Sequence, residues 1–396
     1  MSKYLKEFGI NALVLTVDPK KASYPITDTS LLEEVPESLE VYRTNSYEPL
    51  KIYGSLFGKQ RVPYSGFANV NKESTFSKAS RWIRGNLFIP DARKGWNKFA
   101  LRKATELLSK RKIECIITSG PPHSTHLIGQ SLKEKFGVKW IADFRDPWTD
   151  IYYYDDLLLN EKSKKKDADL EKHVLEKADR VLAVCQSNAD LFKRKITGSL
   201  SKVEVLSNGF DTDDFHTANK IENEVFTIVY MGTLADTYLP RLVFEAFEQL
   251  DIDFKLLVVG KVSPEIEEFI FQSTLSEKVD FKGYMNHDEA LKYLRKADLL
   301  LHILPVTRGA DMGTTGKLFE YLAAQTPILN IGSPESDSAQ IIEECGAGKS
   351  FSRKDGVAIN QFVLTVYKGD FQITGDINKY SRKELTRKLS SLIRDE

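Results

Sequence analysis

The chain has 396 residues, 41% of them hydrophobic and 28% charged, with 56 basic against 56 acidic side chains. That length is too great for one ordinary core and fits two domains of roughly 150–200 residues each. Zero net charge supplies no global field that would select nucleic acid as the partner. The three cysteines, Cys115, Cys185 and Cys345, match neither a metal knuckle nor a disulfide framework. No apolar run approaches the ~20 residues of a membrane span, and no signal-peptide pattern opens the sequence. A cytoplasmic protein that is still able to touch the inner face of a membrane is the expectation.

In chain order, a helical SKYLKEFG comes first, followed by the strand candidate NALVLTV (11–17). A doubly wound sheet normally starts on a central strand whose Gly-rich turn feeds the first helix. Neither element is present here, so the preferred reading is a start some 20–30 residues too late, over a domain that does without them. Strand-length apolar runs then recur at ECIITSG (114–120), KWIADF (139–144), RVLAVC (180–185) and KVEVLSN (202–208). A second series follows: FTIVYMG (226–232), FKLLVVG (254–260), KVDFKG (278–283), ADLLLHIL (297–304) and TPILNIG (326–332). Most are continuous rather than alternating, as expected of strands buried on both faces of a parallel sheet. Helical patterns at 98–110, 124–136, 167–178, 187–196, 241–250, 264–273, 287–296 and 316–325 alternate with them, giving two series of βαβ units. The series break at LSNGFDTDDF (206–215), a Gly/Asp-rich turn with a polar tail. The fold class is therefore α/β with two Rossmann-like domains: 1–205, then 206–376. An amphipathic helix in 377–396 is free to lie across either of them.

The segment DMGTTGKLFEYLAAQTPIL (311–329) runs from a Gly/Thr-rich loop into a helix. It is not a Walker A loop, because the first glycine position falls on Asp311 and Leu318 follows the lysine. The general physics of a helix start still applies. Gly313 and Gly316 let backbone approach a ligand closely, the first N–H groups of the helix have no intrahelical partner, and Lys317 adds charge. Thr314 and Thr315 complete the loop, and Glu320, one turn on, is placed to accept hydrogen bonds from sugar hydroxyls. The plainer alternative makes Thr315 an N-cap, Glu320 a favourable first-turn charge and Lys317 a solvated side chain.

Taken together and in order, these segments resemble those of GT-B glycosyltransferases of the family 4 (group 1) type. GTTGKLFEYLAAQTPIL resembles their donor-binding helix, KVEVLSNGFDTDDF their interdomain segment, and VDFKGYMNHDEALKYLRKADLLL the segment that precedes the donor loop. SGPPHSTHLIGQSLKEKFGVKWIADFRDPWTD resembles a bacterial subgroup of such transferases. The resemblance implies a Gly-rich turn that binds the diphosphate and a glutamate, Glu320, that binds the ribose of a nucleotide sugar. The sequence also departs from the family. The first residue of its Glu-x7-Glu pair falls on Met312, and its two basic diphosphate contacts fall on Thr233, next to Gly232, and on Tyr238. Arg241 is the nearest cation to these positions, and Lys317 is left to carry more of the phosphate charge.

In the first domain, SGPPHSTH follows a strand and precedes a helix, at the strand end where open α/β sheets bind ligands. The resemblance implies that His123 acts near the reacting sugar, by polar contact or as an acid/base. A capping or packing histidine is the alternative, and His126 reads as structural. Asp143, Arg145 and Asp146 form a tight charge run on the same rim: either Arg145 neutralises a phosphate bidentately, or the run is one internal salt-bridge cluster. Trp148 is either a packing residue or a sugar platform. Residues 59–98 hold nine basic side chains against two acids, with Trp82, Phe88 and Trp96 among them. That suits peripheral contact with an anionic membrane or a lipid-pyrophosphate acceptor; the alternative is a solvated loop. KSKKKD (162–167) reads as an exposed helix start.

The expected function is a glycosyltransferase moving a sugar from a nucleotide-diphosphate sugar to a glycan or lipid-linked acceptor in cell-surface polysaccharide synthesis. By resemblance it is retaining and needs no metal or cofactor, with the chemistry in the cleft between the domains. Two rivals remain: a truncated or degenerate homologue that binds nucleotide without transfer, and a sugar-nucleotide 2-epimerase of the same fold.

Overall fold

The computed structural model describes residues 1–22, 35–47, 75–215, 223–306 and 314–395. The chain divides into two units, Met1–Leu206 with Thr386–Glu396, and Ser207–Leu385.

In the first unit, β1 (Leu13–Val17) pairs in parallel with β2 (Glu40–Thr44). Helices α1 (Thr75–Leu87) and α2 (Asn97–Lys110) follow. A four-stranded parallel sheet comes next, with its strands in chain order: β3 (Cys115–Gly120), β4 (Lys139–Phe144), β5 (Arg180–Ala183) and β6 (Val203–Val205). The crossovers are α3 (Ser124–Phe136), α4 (Glu161–Lys177) and α5 (Gln186–Lys195). Trp140, Phe144, Leu175, Val181 and Phe192 fill this core. The Trp140 indole donates to Thr118 Oγ1 at 2.8 Å, and a Cβ at residue 129 would overlap that indole, so glycine is required where α3 crosses β4.

The second unit is one six-stranded parallel sheet. In chain order its elements are β7 (Phe226–Met231), α6 (Arg241–Phe247), β8 (Phe254–Val259), α7 (Pro264–Phe271), β9 (Val279–Gly283) and α8 (His287–Lys296). Then come β10 (Leu299–Ile303), α9 (Gly316–Ala323), β11 (Ile328–Ile331), α10 (Asp337–Glu344), β12 (Gly348–Phe351) and α11 (Gly356–Tyr367). The spatial order is β12-β11-β10-β7-β8-β9. The chain builds outward from β7 to β9, then returns to the other side of β7 and builds outward again. The strand order therefore reverses between β7 and β10, the point at which open α/β sheets bind ligands beyond the strands' carboxyl ends. Successive β7 residues face opposite cores, Ile228 and Tyr230 packing with Phe247 and Phe254, and Val229 and Met231 with Phe319 and Tyr321.

The last helix, α12 (Arg382–Arg394), begins in the second unit and carries the chain back into the first. There Lys139 Nζ donates to the carbonyls of Leu392 and Ile393 at 2.8 and 3.0 Å, a cation satisfying helix C-terminal carbonyls. No described helix is long and apolar enough to cross a membrane.

Candidate functional site

The switch point of the second unit is built on glycines. Gly232, Gly260 and Gly283 end three neighbouring strands with φ of +129°, +134° and +70°, values that L side chains rarely adopt. Gly232 N donates to Val259 O at 2.7 Å, and Gly260 N to Gly283 O at 2.9 Å. The Lys317 side chain runs over the bare Cα of Gly232, where a Cβ would overlap its ammonium, and Lys317 Nζ stands 5.7 Å from the centre of the Tyr230 ring. Lys317 is half-buried and has no hydrogen bond or ion pair among the described residues. Burial lowers its pKa, while the charge of Glu320 opposes that shift. It is a cation held against backbone, with no described residue bonded to its charge.

Helix α9 starts beside this lysine. Thr315 has the extended N-cap conformation, φ −80° and ψ 150°, yet makes no side-chain cap bond. The amides of Gly316 and Lys317 have no intrahelical partner by position. Gly316 is exposed, and a Cβ there would meet nothing within 4 Å among the described residues. Thr314 Oγ1 is buried without a partner. Tyr321 clamps the helix to the sheet, its hydroxyl accepting from Met231 N at 2.8 Å and donating to Leu301 O at 3.2 Å. Glu320 sits half-buried on the second turn. Gly313, with Asp311 and Met312, lies outside the described residues.

Two sequence candidates stand differently. Thr233 is exposed and contributes its carbonyl to the Tyr230 hydroxyl at 2.8 Å. Arg241 is half-exposed, with its Nε 3.5 Å from Asp236 and its guanidinium 5.3 Å from the Phe269 ring. The described contacts of Arg241 thus turn it toward α7, and none of them is to Lys317 or Gly232.

In the first unit the helix N-terminus after Pro-Pro-His is already filled. Asp91 takes the Ser124 amide and hydroxyl, each at 2.8 Å, so α3 is capped by a carboxylate from elsewhere in the chain. His123, just before it, is buried and stacks on Trp148 at 5.0 Å with 9° between the rings. Its Nδ1 is buried without a hydrogen-bond partner, and burial pulls its pKa down to about 3. At neutral pH it is an uncharged imidazole, suited to polar contact and not to storing a proton for acid catalysis. His126 is fully buried, with Nδ1 2.9 Å from Thr118 Oγ1. Trp148 is buried, and its indole donates to Asp167 at 2.9 Å; Tyr154 donates to the other carboxylate oxygen, also at 2.9 Å. The KSKKKD run therefore ends on a buried carboxylate and not on an exposed one, and burial pushes the Asp167 pKa up to about 6.

The charge run after β4 is partly internal. Arg145 Nη1 donates to Asp143 at 3.1 Å and to Leu206 O at 3.1 Å, while Ser119 donates to Asp143 at 2.8 Å. Burial raises the pKa of Asp146, and the Arg145 charge opposes it. In the basic-aromatic stretch, residues 59–74 lie outside the described residues. Beyond them Trp82 is 46% exposed, whereas Trp96 turns inward and donates to Thr44 Oγ1 at 2.8 Å. Among the described residues no group of three or more His, Cys, Asp or Glu side chains is placed to hold a metal ion.

Sequence reasoning did not find Asp91, Tyr321, His302 or Asp167. Each acts through a partner elsewhere in the chain, a pairing that the sequence does not mark. Tyr284 lies within the segment VDFKGYMNHDEALKYLRKADLLL. It is 68% exposed just past β9, with Lys261 Nζ 5.9 Å from its ring centre, beside the strand-end glycines.

Two parallel-sheet units, with an open helix N-terminus at the switch point of the second, are the features of a GT-B glycosyltransferase. The sequence carries a match to the family model described as Glycosyltransferase Family 4 over residues 67–214, and one to Glycosyl transferases group 1 over residues 211–338. The chain belongs to the glycosyltransferases of this family 4/group 1 type, and it is an enzyme of that class. Among solved structures it is similar to sucrose-phosphate synthase from Thermosynechococcus elongatus, at 14% identity and TM-score 0.62, covering 100% of this chain and 91% of that one. Anabaena HepE in complex with UDP matches at 12% identity and TM-score 0.60, covering 97% and 99%. A glycosyltransferase from Rickettsia africae matches at 14% identity and TM-score 0.59, covering 100% and 92%. At these identities the likeness is one of fold. No curated protein gives a significant match to the sequence.

Proposed function

We propose that this glycosyltransferase takes its sugar from a nucleotide-diphosphate sugar held by the second unit, and passes it to a glycan or lipid-linked acceptor bound by the first. The reading rests on one observation: the uncapped start of α9 lies beside a lysine ammonium that has no bonded acceptor among the described residues, at the point where the strand order reverses. The amides of residues 315–317 and Lys317 receive the diphosphate, and Glu320 receives the ribose hydroxyls. As the bond to the sugar breaks, negative charge grows on the departing diphosphate, and fixed amide dipoles with a nearby cation stabilise it without reorganising. A metal ion is not required for that task on this reading.

His123, neutral and with a free ring nitrogen, contacts the sugar or acceptor hydroxyls. Asp143 and Arg145 hold the same rim, Arg145 through its bond to Asp143. On this reading the transfer retains anomeric configuration. The acceptor is a cell-surface glycan carried on a lipid, and residues 59–98, with Trp82 outward, meet the anionic inner face of the membrane from the cytoplasm. HepE has been solved with UDP and with UDP-glucose, which agrees with a nucleotide-sugar donor here.

The test is a thermal-shift panel of UDP, GDP, dTDP, CMP and their common sugars on wild type and Glu320→Ala. A ligand at about 100 times its Kd adds roughly 2.7 kcal/mol, a shift of a few degrees. One nucleoside diphosphate should shift the wild type and shift the variant less. A folded protein that responds to none of them overturns the reading.

A further inference from the structure

A second feature of the donor loop concerns why its helix start is uncapped. Thr315 is a residue type that ordinarily caps, in a backbone conformation that permits capping, and it does not cap. Its hydroxyl lies instead 3.3 Å from Nε2 of His302 on β10. His302 is 4% exposed, and its other nitrogen, Nδ1, is 2.8 Å from Asn330 Oδ1 on β11. Asn330 in turn donates from Nδ2 to Ser350 Oγ on β12 at 2.9 Å. His302 pairs in register with Asn330, and Asn330 with Ser350, so the line crosses three adjacent strands directly.

The direction of this line follows from its chemistry. The Asn330 amide group spends its nitrogen on Ser350, so its oxygen faces His302, and an amide oxygen only accepts. His302 Nδ1 must therefore carry the hydrogen. Burial holds this imidazole neutral, with its pKa down at about 4 and Lys317 adding to the shift, so Nε2 carries a lone pair. The Thr315 hydroxyl donates into that lone pair. Its rotamer is then fixed toward the sheet and away from the first amides of α9.

We propose that His302 is a positioning residue for the donor site: by holding the Thr315 hydroxyl, it keeps the N-terminus of α9 uncapped and open to a diphosphate. This rests on the reading of α9 as the diphosphate site. Without the imidazole, Thr315 rotates back, caps its own helix and competes with the phosphate oxygens for the same N–H groups.

Two measurements test it on the full chain. The first is imidazole ¹⁵N NMR, tractable because the sequence has six histidines. His302 should show the Nδ1–H tautomer with a hydrogen-bonded Nε2, and Thr315→Val should remove the bond at Nε2 alone. The second is calorimetric titration with pyrophosphate, UDP, GDP and dTDP. His302→Phe should weaken the best of these about fivefold, matching the roughly 1 kcal/mol of an N-cap bond. In the His302→Phe background, Thr315→Val should restore binding to the level of the Thr315→Val single variant. That rescue is what a merely structural histidine would not give.

If Thr315→Val fails to restore binding, or leaves the His302 spectrum unchanged, the proposal is overturned while the donor site stands. If His302→Phe does not fold, the spectrum of Thr315→Val decides. A wild type that binds none of the four overturns the reading of the site, and the proposal with it.

Discussion

The ammonium of Lys317 occupies the space that a side chain at Gly232 would need. Lys317 lies in the first turn of α9 and Gly232 directly follows β7, some 85 positions apart in sequence. The contact exists because the strand order reverses between β7 and β10, which brings the end of the first strand of this unit beside the helix that follows its fourth. Gly232 is thus constrained twice, by its φ of +129° and by the lysine laid on it.

Gly232→Ala should accordingly cost stability and ligand affinity together. Forcing an alanine into that region costs about 1–3 kcal/mol, and the displaced lysine leaves the proposed phosphate site. Thermal unfolding should fall by several degrees, and pyrophosphate binding should weaken in the same variant. Gly316→Ala is the control: with nothing within 4 Å of its Cβ, the helix should tolerate it with little change in Tm.

Tyr321→Phe removes the hydroxyl that joins α9 to β7 and β10. Met231 N is left without its acceptor inside the core, a loss of about 1–3 kcal/mol, readable as a lower urea midpoint. Because the hydroxyl fixes the helix that carries Lys317 and Glu320, nucleotide affinity should fall as well.

Acid should destabilise the fold through buried imidazoles. His123 and His302 have pKa values lowered by burial to about 3 and about 4, and that of His126 is lowered further than ordinary. The unfolded chain binds protons at these positions near pH 6.5 and the folded chain does not. Stability is therefore complete above ~6.5 and falls as pH drops toward 4, by on the order of 1 kcal/mol per histidine at pH 5.5. Asp167, raised to about 6 by burial, acts in the opposite sense in the same window and offsets about one histidine. Urea midpoints at pH 7.5 and 5.5 should differ in this direction, and His123→Asn should reduce the difference. The same shift removes His123 as a source of any activity limb near pH 6.5.

Much of this architecture was legible in the sequence, for reasons that also mark where legibility ended. Continuous apolar runs identified ten of the strands because buried parallel strands need no alternation, and the loop before Lys317 stood out through its glycines. The strands at Glu40–Thr44 and Gly348–Phe351 were missed: the first is polar on half its length, and the second, GKSF, is too short and mixed to carry a period. Helix Asp337–Glu344 escaped for a similar reason, its apolar stripe being only Ala339, Ile341 and Ile342. Of the candidate residues, His123 and Lys317 were readable in the sequence as residue types at the starts of predicted helices. The pairings that fix their chemistry were not, because Trp148 stacks on His123 and Gly232 underlies Lys317 only after the sheets form. Arg241 is near Thr233 and Tyr238 in sequence, and α6 carries its side chain toward Phe269.

The most direct test of the account compares a nucleoside diphosphate with its monophosphate on wild type and Lys317→Met. The ammonium is half-buried with no described bonded acceptor, so the uncharged variant should fold with unchanged or slightly higher stability. In the wild type the diphosphate should bind more tightly than the monophosphate. In Lys317→Met that advantage should shrink about tenfold or more, since a charge-assisted hydrogen bond contributes roughly 1.5–3 kcal/mol. An advantage equally large in both proteins would mean that the second phosphate is held elsewhere, and the account of this site would be wrong.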